Sequence, residues 1–156
     1  MTQPSLFQAV QEVKTSDDYY TPKWIFDALD IQFDLDVACP PEGPINVPAA
    51  NYYTAADDGL AQPWHGRVWM NPPYSKPAPW VDRFLDHGLG IALLPMMTNG
   101  KWLHKLWAEA DAIVPLTRIT FVSPTRSKLN TYPGTIALFA CGQECVKAIG
   151  KLGRPR

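Results

Sequence analysis

Asn71-Pro72-Pro73-Tyr74 is the segment whose residue types and order say most about chemistry. Two consecutive prolines cannot continue a strand or donate a ladder bond, so the chain is forced into a stiff, extended turn. The carbonyl of Pro72 then has no neighbouring N–H to satisfy it and can point into a pocket. The Asn71 side chain supplies a second neutral acceptor beside it. Two acceptors facing one point suit an amino group attached to an aromatic ring or an amide. The lone pair of such a nitrogen is delocalised, and accepting both of its hydrogens favours the pyramidal form in which that pair can attack. Tyr74 offers a flat face for the ring, a contact worth about 1–3 kcal/mol per stacked base. Prolines alone would be compatible with a plain strand-to-helix turn; the complete tetrapeptide after a strand is what points to a site.

Elements to position such a site can be read around it. Thr21-Pro22 has the form of a helix start, a hydroxyl N-cap followed by proline, with Trp24, Ile25, Ala28 and Leu29 on one face. Residues 31–37 (IQFDLDV) alternate as a strand should, and 67–70 reads as a short strand leading into the motif. Trp80, Val81, Phe84 and Leu85 form a helical stripe ending at Gly88. Residues 91–95 are apolar throughout, as in a strand buried on both faces. Trp102, Leu103, Leu106, Trp107 and Ala110 predict a further helix. Strands are expected at 112–116, 118–122 and 135–141, the last two too close for a helical crossover and so expected to pair antiparallel at one edge. The alternation predicts a single-domain α/β fold with a mostly parallel sheet and an antiparallel edge strand. In such sheets ligands bind beyond the strands' carboxyl ends. That rim holds both residues 34–39 (DLDVAC) and Asn71 to Tyr74.

The chain has 156 residues and 46% hydrophobic composition, enough for one domain with a core. Residues 1–18 are expected as an N-terminal arm, 19–145 as the catalytic domain and 146–156 as a basic C-terminal tail. Fourteen Lys and Arg stand against fifteen Asp and Glu, but the near balance conceals a split. Up to Gly66 the net charge is −8; from Arg67 onward it is +7. Such asymmetry suits a polyanionic partner, although two halves neutralising each other across one fold would look the same. No apolar run approaches the roughly 18 residues of a membrane span, and the first residues lack the form of a signal peptide. Three cysteines, Cys39, Cys141 and Cys145, without close paired spacing, are expected to be reduced thiols of a cytoplasmic protein, with no structural zinc site.

The ordered set Tyr20-Thr21-Pro22, Phe33-Asp34-Leu35-Asp36, Tyr53-Thr54, Asp57-Asp58-Gly59-Leu60, Trp64, Val68 to Tyr74 and Leu94-Pro95 resembles the layout of the small phage-type DNA adenine methyltransferases. The resemblance spans about residues 19 to 125 and implies a Rossmann-like methyltransferase fold. It also implies S-adenosylmethionine as methyl donor, DNA as partner, no metal, and a bacterial host setting, with the gene carried by a phage or prophage. By position, Asp36 corresponds to the acid near the donor's methionine amino group, with Ala38 and Cys39 as the floor beneath the cofactor. Tyr20, Thr21 and Pro22 correspond to the segment holding the methionine carboxylate, and Asp58 and Leu60 to the segment flanking the cofactor's adenine. Cys39-Pro40-Pro41 departs from the glycine-rich turn of the wider superfamily, so the cofactor loop must take another path. Which of Asp34, Asp36, Asp57 and Asp58 meet the cofactor stays open.

A base inside a duplex must be flipped out to reach such a pocket, at a cost of a few kcal/mol, while cations hold the flanking phosphates. Arg118, Arg126 and Lys128, the last two in the polar segment 123–130 (SPTRSKLN), are the residues expected to contact DNA. Protein-glutamine, RNA and cytosine-N4 methylation share the chemistry, and an inactive nucleic-acid-binding relative would share the fold; all remain alternatives at this point. Monomer and homodimer are equally compatible with the sequence.

Overall fold

A computed structural model describes residues 20–96, 100–122 and 129–153. In chain order its elements are α1 (Lys23–Leu29), β1 (Phe33–Asp36), β2 (Ala49–Tyr52), β3 (Val68–Met70), α2 (Ala78–His87), β4 (Gly90–Pro95), α3 (Lys101–Glu109), β5 (Ala112–Leu116), β6 (Thr120–Val122), β7 (Leu129–Thr131), β8 (Ile136–Cys141) and α4 (Gln143–Gly150). Six strands form a sheet in the order β2-β1-β3-β4-β8-β5. The first three pairings are parallel, and β8 runs antiparallel to both of its neighbours. This is a mostly parallel, Rossmann-like α/β sheet.

The antiparallel strand is not at the edge, as the sequence suggested. Every residue of β8 is buried, and a strand apolar on both faces is stable only with covered faces and paired edges, so it fills the space between β4 and β5. Nor does it pair with the segment before it: β6 instead pairs with β7 in a separate two-stranded ribbon. The last two residues of the expected loop 123–130 belong to β7. An isolated bridge fastens the ribbon to the chain ahead of α1, with Tyr20 N–H donating to the Val122 carbonyl at 2.8 Å and Val122 N–H returning to Tyr20 at 3.0 Å.

Apolar side chains above and below the sheet divide the core. Phe26, Phe33 and Trp69 make edge-on contacts on one side, with ring centroids 4.7–6.4 Å apart; Val81, Phe84 and Leu106 from α2 and α3 pack on the other. Some details differ from the helical stripes expected. Pro22, not Thr21, occupies the N-cap position of α1, because its extended ψ of 144° leaves the helix to begin at Lys23. Phe26 takes the buried place expected of Trp24, which is 46% exposed, and Trp107 is 52% exposed while Leu103 and Leu106 face inward. The basic tail expected from residue 146 begins inside α4, whose Cys145, Ala148 and Ile149 are buried. Residues 1–18 of the expected arm lie outside the described residues. Among the described residues, no helix is long and apolar enough to cross a membrane.

Candidate active site

A cavity of about 370 Å³ opens beyond the carboxyl ends of β1 and β3, bounded by residues 37–41, Thr54, Ala55, Asp58, Gly59, Asn71, Pro73 and Trp80. A smaller recess beside it is lined by Tyr20, Thr21, Asp36, Val47 and Trp69. Ala38, Pro40 and Asn71 border both spaces.

The path of the chain past β1 explains how prolines can stand where a glycine turn was expected. After Asp36 the chain turns at Val37 and Ala38 without a glycine, the Asp36 carboxylate accepting the Ala38 N–H at 3.2 Å. Val37 N–H donates to Trp69 at 3.1 Å and Cys39 N–H to Tyr53 at 2.8 Å, so both neighbouring segments hold it. Pro40 and Pro41 follow where no donor is required, and the chain turns a second time with Gly43 N–H on the Pro40 carbonyl at 3.0 Å. Rigid proline rings thus form part of the cavity wall.

The four acids divide into two pairs. Asp36 is 2% exposed, receives the Ala38 N–H at 3.2 Å and lies beside the Cys39 thiol. Burial pushes its carboxyl up to about 7 despite those two hydrogen bonds. No cation pairs with it among the described residues. Asp58 is exposed and borders the large cavity from a left-handed turn with φ of 56°. Asp34 and Asp57 each accept hydrogen bonds from the chain itself. Asp34 accepts the Arg67 N–H at 2.7 Å below β3. Asp57 accepts the N–H and hydroxyl of Thr54 at 2.8 and 3.1 Å, closing its own loop.

Asn71 donates through Nδ2 to the Thr21 hydroxyl at 3.2 Å, leaving its carboxamide oxygen as the other end of the group. Pro72 is buried behind it. The Tyr74 hydroxyl donates to the Leu93 carbonyl at 3.2 Å. Its ring meets Phe121 and Tyr132 edge-on, with centroids 6.5 and 6.1 Å apart. The ribbon of β6 and β7 therefore packs directly on the motif. Tyr20 is buried, with its hydroxyl donating to Glu42 at 3.1 Å; Asn46 Nδ2 donates to the Thr21 carbonyl at 2.9 Å. Cys39 is buried at the floor, its thiol pushed far up by burial and then by Asp36.

Leu60 adjoins the cavity through Gly59, its carbonyl accepting from Arg83 at 2.6 Å. Arg118 is exposed just ahead of β6, whereas Arg126 and Lys128 lie outside the described residues. Four contributors do not stand out in the sequence. Pro40 and Pro41 read there only as an interruption. Gly59 is required because a Cβ there would collide with the Val37 carbonyl. Trp80 falls in the apolar stripe of α2, yet it borders the cavity.

A Rossmann-like sheet thus carries a cavity and a buried acid at the carboxyl ends of its strands, with Asn-Pro-Pro-Tyr on the same rim. The sequence matches the model of the family "DNA N-6-adenine-methyltransferase (Dam)" over residues 8–140. It is 33% identical over 138 residues to the DNA N-6-adenine-methyltransferase of Haemophilus phage HP1 (strain HP1c1), covering 79% of this chain and 78% of that relative. The chain belongs to the Dam family and is an adenine-specific DNA methyltransferase.

Proposed function

We propose that this enzyme transfers the methyl group of S-adenosylmethionine to N6 of an adenine held out of the DNA stack by Asn71, Pro72, Pro73 and Tyr74. The observation that carries the reading is the position of Asn71, which borders both the large cavity and the recess containing Asp36. A donor spanning these two spaces would bring its methyl group to the motif. The residues fit that donor. Asp36 is a buried carboxyl with no cation beside it among the described residues, suited to an ammonium; Asp58, at the border of the large cavity, would flank the adenosine; Tyr20 and Thr21 line the recess, and Pro22 follows them at the start of α1. When bound, the donor supplies an electrophilic methyl on a sulfonium.

The protein's own work is orientation. The Asn71 oxygen and the Pro72 carbonyl accept the two amino hydrogens, which frees the nitrogen lone pair for in-line attack. They also stabilise the positive charge that builds on nitrogen as the methyl arrives, an interaction stronger in the transition state than in the ground state. The Tyr74 ring, fixed at its hydroxyl and along its edges, is the stacking surface for the target base. Ala38 and Cys39 floor the cofactor space, and Leu60 holds the segment at its far side. Arg118, Arg126 and Lys128 neutralise phosphates flanking the extruded nucleotide. Residues 19–145 carry catalysis.

Transfer of label from S-adenosyl[methyl-³H]methionine to unmethylated DNA, RNA and protein tests this, with Asn71→Ala as control. Label is expected on N6 of adenine in DNA, and Asn71→Ala is expected to lose about a hundredfold or more in kcat. Equal transfer by wild type and Asn71→Ala would refute the assignment of the pocket.

A further inference from the structure

Trp80 follows the motif on the first turn of α2 and differs from its helix neighbours in what it faces. Val81 and Phe84 are fully buried, whereas Trp80 is half-buried and borders the large cavity. Its Cη2 approaches Gly59 so closely that a Cβ there would lie 3.3 Å away. Behind it, Trp64 is stacked at 6.4 Å between centroids with planes 29° apart. The Arg83 guanidinium lies 5.0 Å from the Trp64 centroid. Each part is tied down. Trp64 Nε1 donates to the Gly59 carbonyl at 2.8 Å, and Arg83 donates to the Leu60 and Gln62 carbonyls at 2.6 Å. A column of guanidinium, indole and indole therefore ends at the cavity wall.

We infer that Trp80 is the surface against which the purine of the methyl donor stacks, and that Trp64 and Arg83 are positioning residues that hold its plane. The inference rests on the reading of the large cavity as the cofactor's. The donor's purine, and not the target adenine, is the ring that Trp80 serves. Trp80 packs on Gly59 beside Asp58, while the target-base face of Tyr74 is organised by Phe121 and Tyr132 from the ribbon. The two aromatic surfaces thus belong to different supporting segments. A cation backing the column strengthens it, because a guanidinium over one indole face is itself attractive.

Calorimetric titration with S-adenosylhomocysteine, and separately with adenosine, tests this on wild type, Trp80→Phe and Trp80→Leu, alongside steady-state kinetics. Trp80→Leu is expected to weaken both ligands about tenfold or more, the scale of one stacked base, and to raise KM for the donor without raising KM for a DNA duplex. Trp80→Phe should restore most of the affinity, and Arg83→Gln should weaken the donor with Trp80 still in place. If Trp80→Leu does not fold, Trp80→Met, which keeps apolar bulk without a ring, takes its place. Failure of wild type to bind S-adenosylhomocysteine would overturn the cofactor reading itself. Binding by wild type and Trp80→Leu with equal affinity would overturn the role of Trp80 alone. A raised KM confined to DNA would instead give Trp80 to the target base.

Discussion

Asn71 and Thr21, fifty residues apart in sequence, are joined by a 3.2 Å hydrogen bond from the carboxamide nitrogen to the hydroxyl oxygen. The bond decides which end of the carboxamide can face a substrate. With Nδ2 occupied by Thr21, the oxygen is the end that the proposed mechanism assigns to the amino group. Thr21→Val removes the acceptor while keeping the branched shape, and a neutral hydrogen bond contributes about 1 kcal/mol. The expected outcome is a fall in kcat of about fivefold with little change in affinity for S-adenosylhomocysteine, and recovery in Thr21→Ser. A loss confined to cofactor affinity would assign Thr21 to the donor's carboxylate instead.

Asp36 makes stability depend on pH in a direction opposite to that of most carboxylates. Its carboxyl rises from 3.8 to about 7 on folding because burial disfavours the charge. Between those values the folded chain binds more protons than the unfolded one, so stability falls as pH rises from about 4 to about 7. The full effect is on the order of 4 kcal/mol at most. Asp36→Asn should therefore melt higher than wild type at pH 8, with the advantage shrinking toward pH 5. S-adenosylmethionine should raise the wild-type melting temperature at pH 8 and not that of the variant. A melting difference that ignores pH would show that Asp36 does not titrate in this range.

Gly59 has no room for a side chain, since a Cβ would meet the Val37 backbone carbonyl, which cannot swing aside. Gly59→Ala must displace either the end of β1 or the segment beneath Trp80, a strain of about 1–3 kcal/mol. Donor KM is expected to rise at least tenfold, with melting temperature lowered by several degrees. Normal donor KM in a destabilised variant would confine Gly59 to folding.

Arg118, Arg126 and Lys128 are tested by the salt dependence of DNA binding. Replacing one phosphate-neutralising cation should make the slope of log K against log salt shallower by about one unit. Single alanine variants measured by fluorescence anisotropy across a salt series give the slopes. Weaker binding at an unchanged slope would mean that the replaced side chain does not neutralise a phosphate.

Cys39, Cys141 and Cys145 are all buried and unpaired with one another. Burial raises all three thiols, Cys141 and Cys145 to about 11. Since the thiolate is the reactive form, Ellman's reagent at pH 8 should label the native protein only slowly and all three after denaturation. A rapid single equivalent would identify an accessible thiol and contradict this burial.

The candidate site residues are named by local pattern: Asn71 to Tyr74 are four adjacent residues, and Asp36 stands at the end of an alternating strand. Sheet direction followed from helices set between strands. What could not be read depends on partners distant in sequence. Ala49–Tyr52, at the open edge of the sheet, is mostly exposed and carries too little alternation to announce β2. The location of β8 depends on β4 and β5 competing for its edges, which no local pattern records. Asp34 and Asp36 look alike in sequence; only the Arg67 N–H, thirty-three residues away, claims one of them for the turn. Trp80 was indistinguishable from a core residue because helical periodicity reports a face, not whether that face meets side chains or a cavity.

The insertion of β8 between β4 and β5 governs how the molecule can be made. Until residues 136–141 are available, β4 keeps one unpaired edge and β5 has no partner in the sheet at all. Pairings that join distant parts of the chain form late and slowly. During synthesis the rim carrying Asn71 is therefore attached to an incomplete sheet until β8 has been made. A product ending before Ile136 would expose strand edges of β4 and β5 of the kind that pair between molecules, making aggregation, not partial activity, the consequence of premature termination.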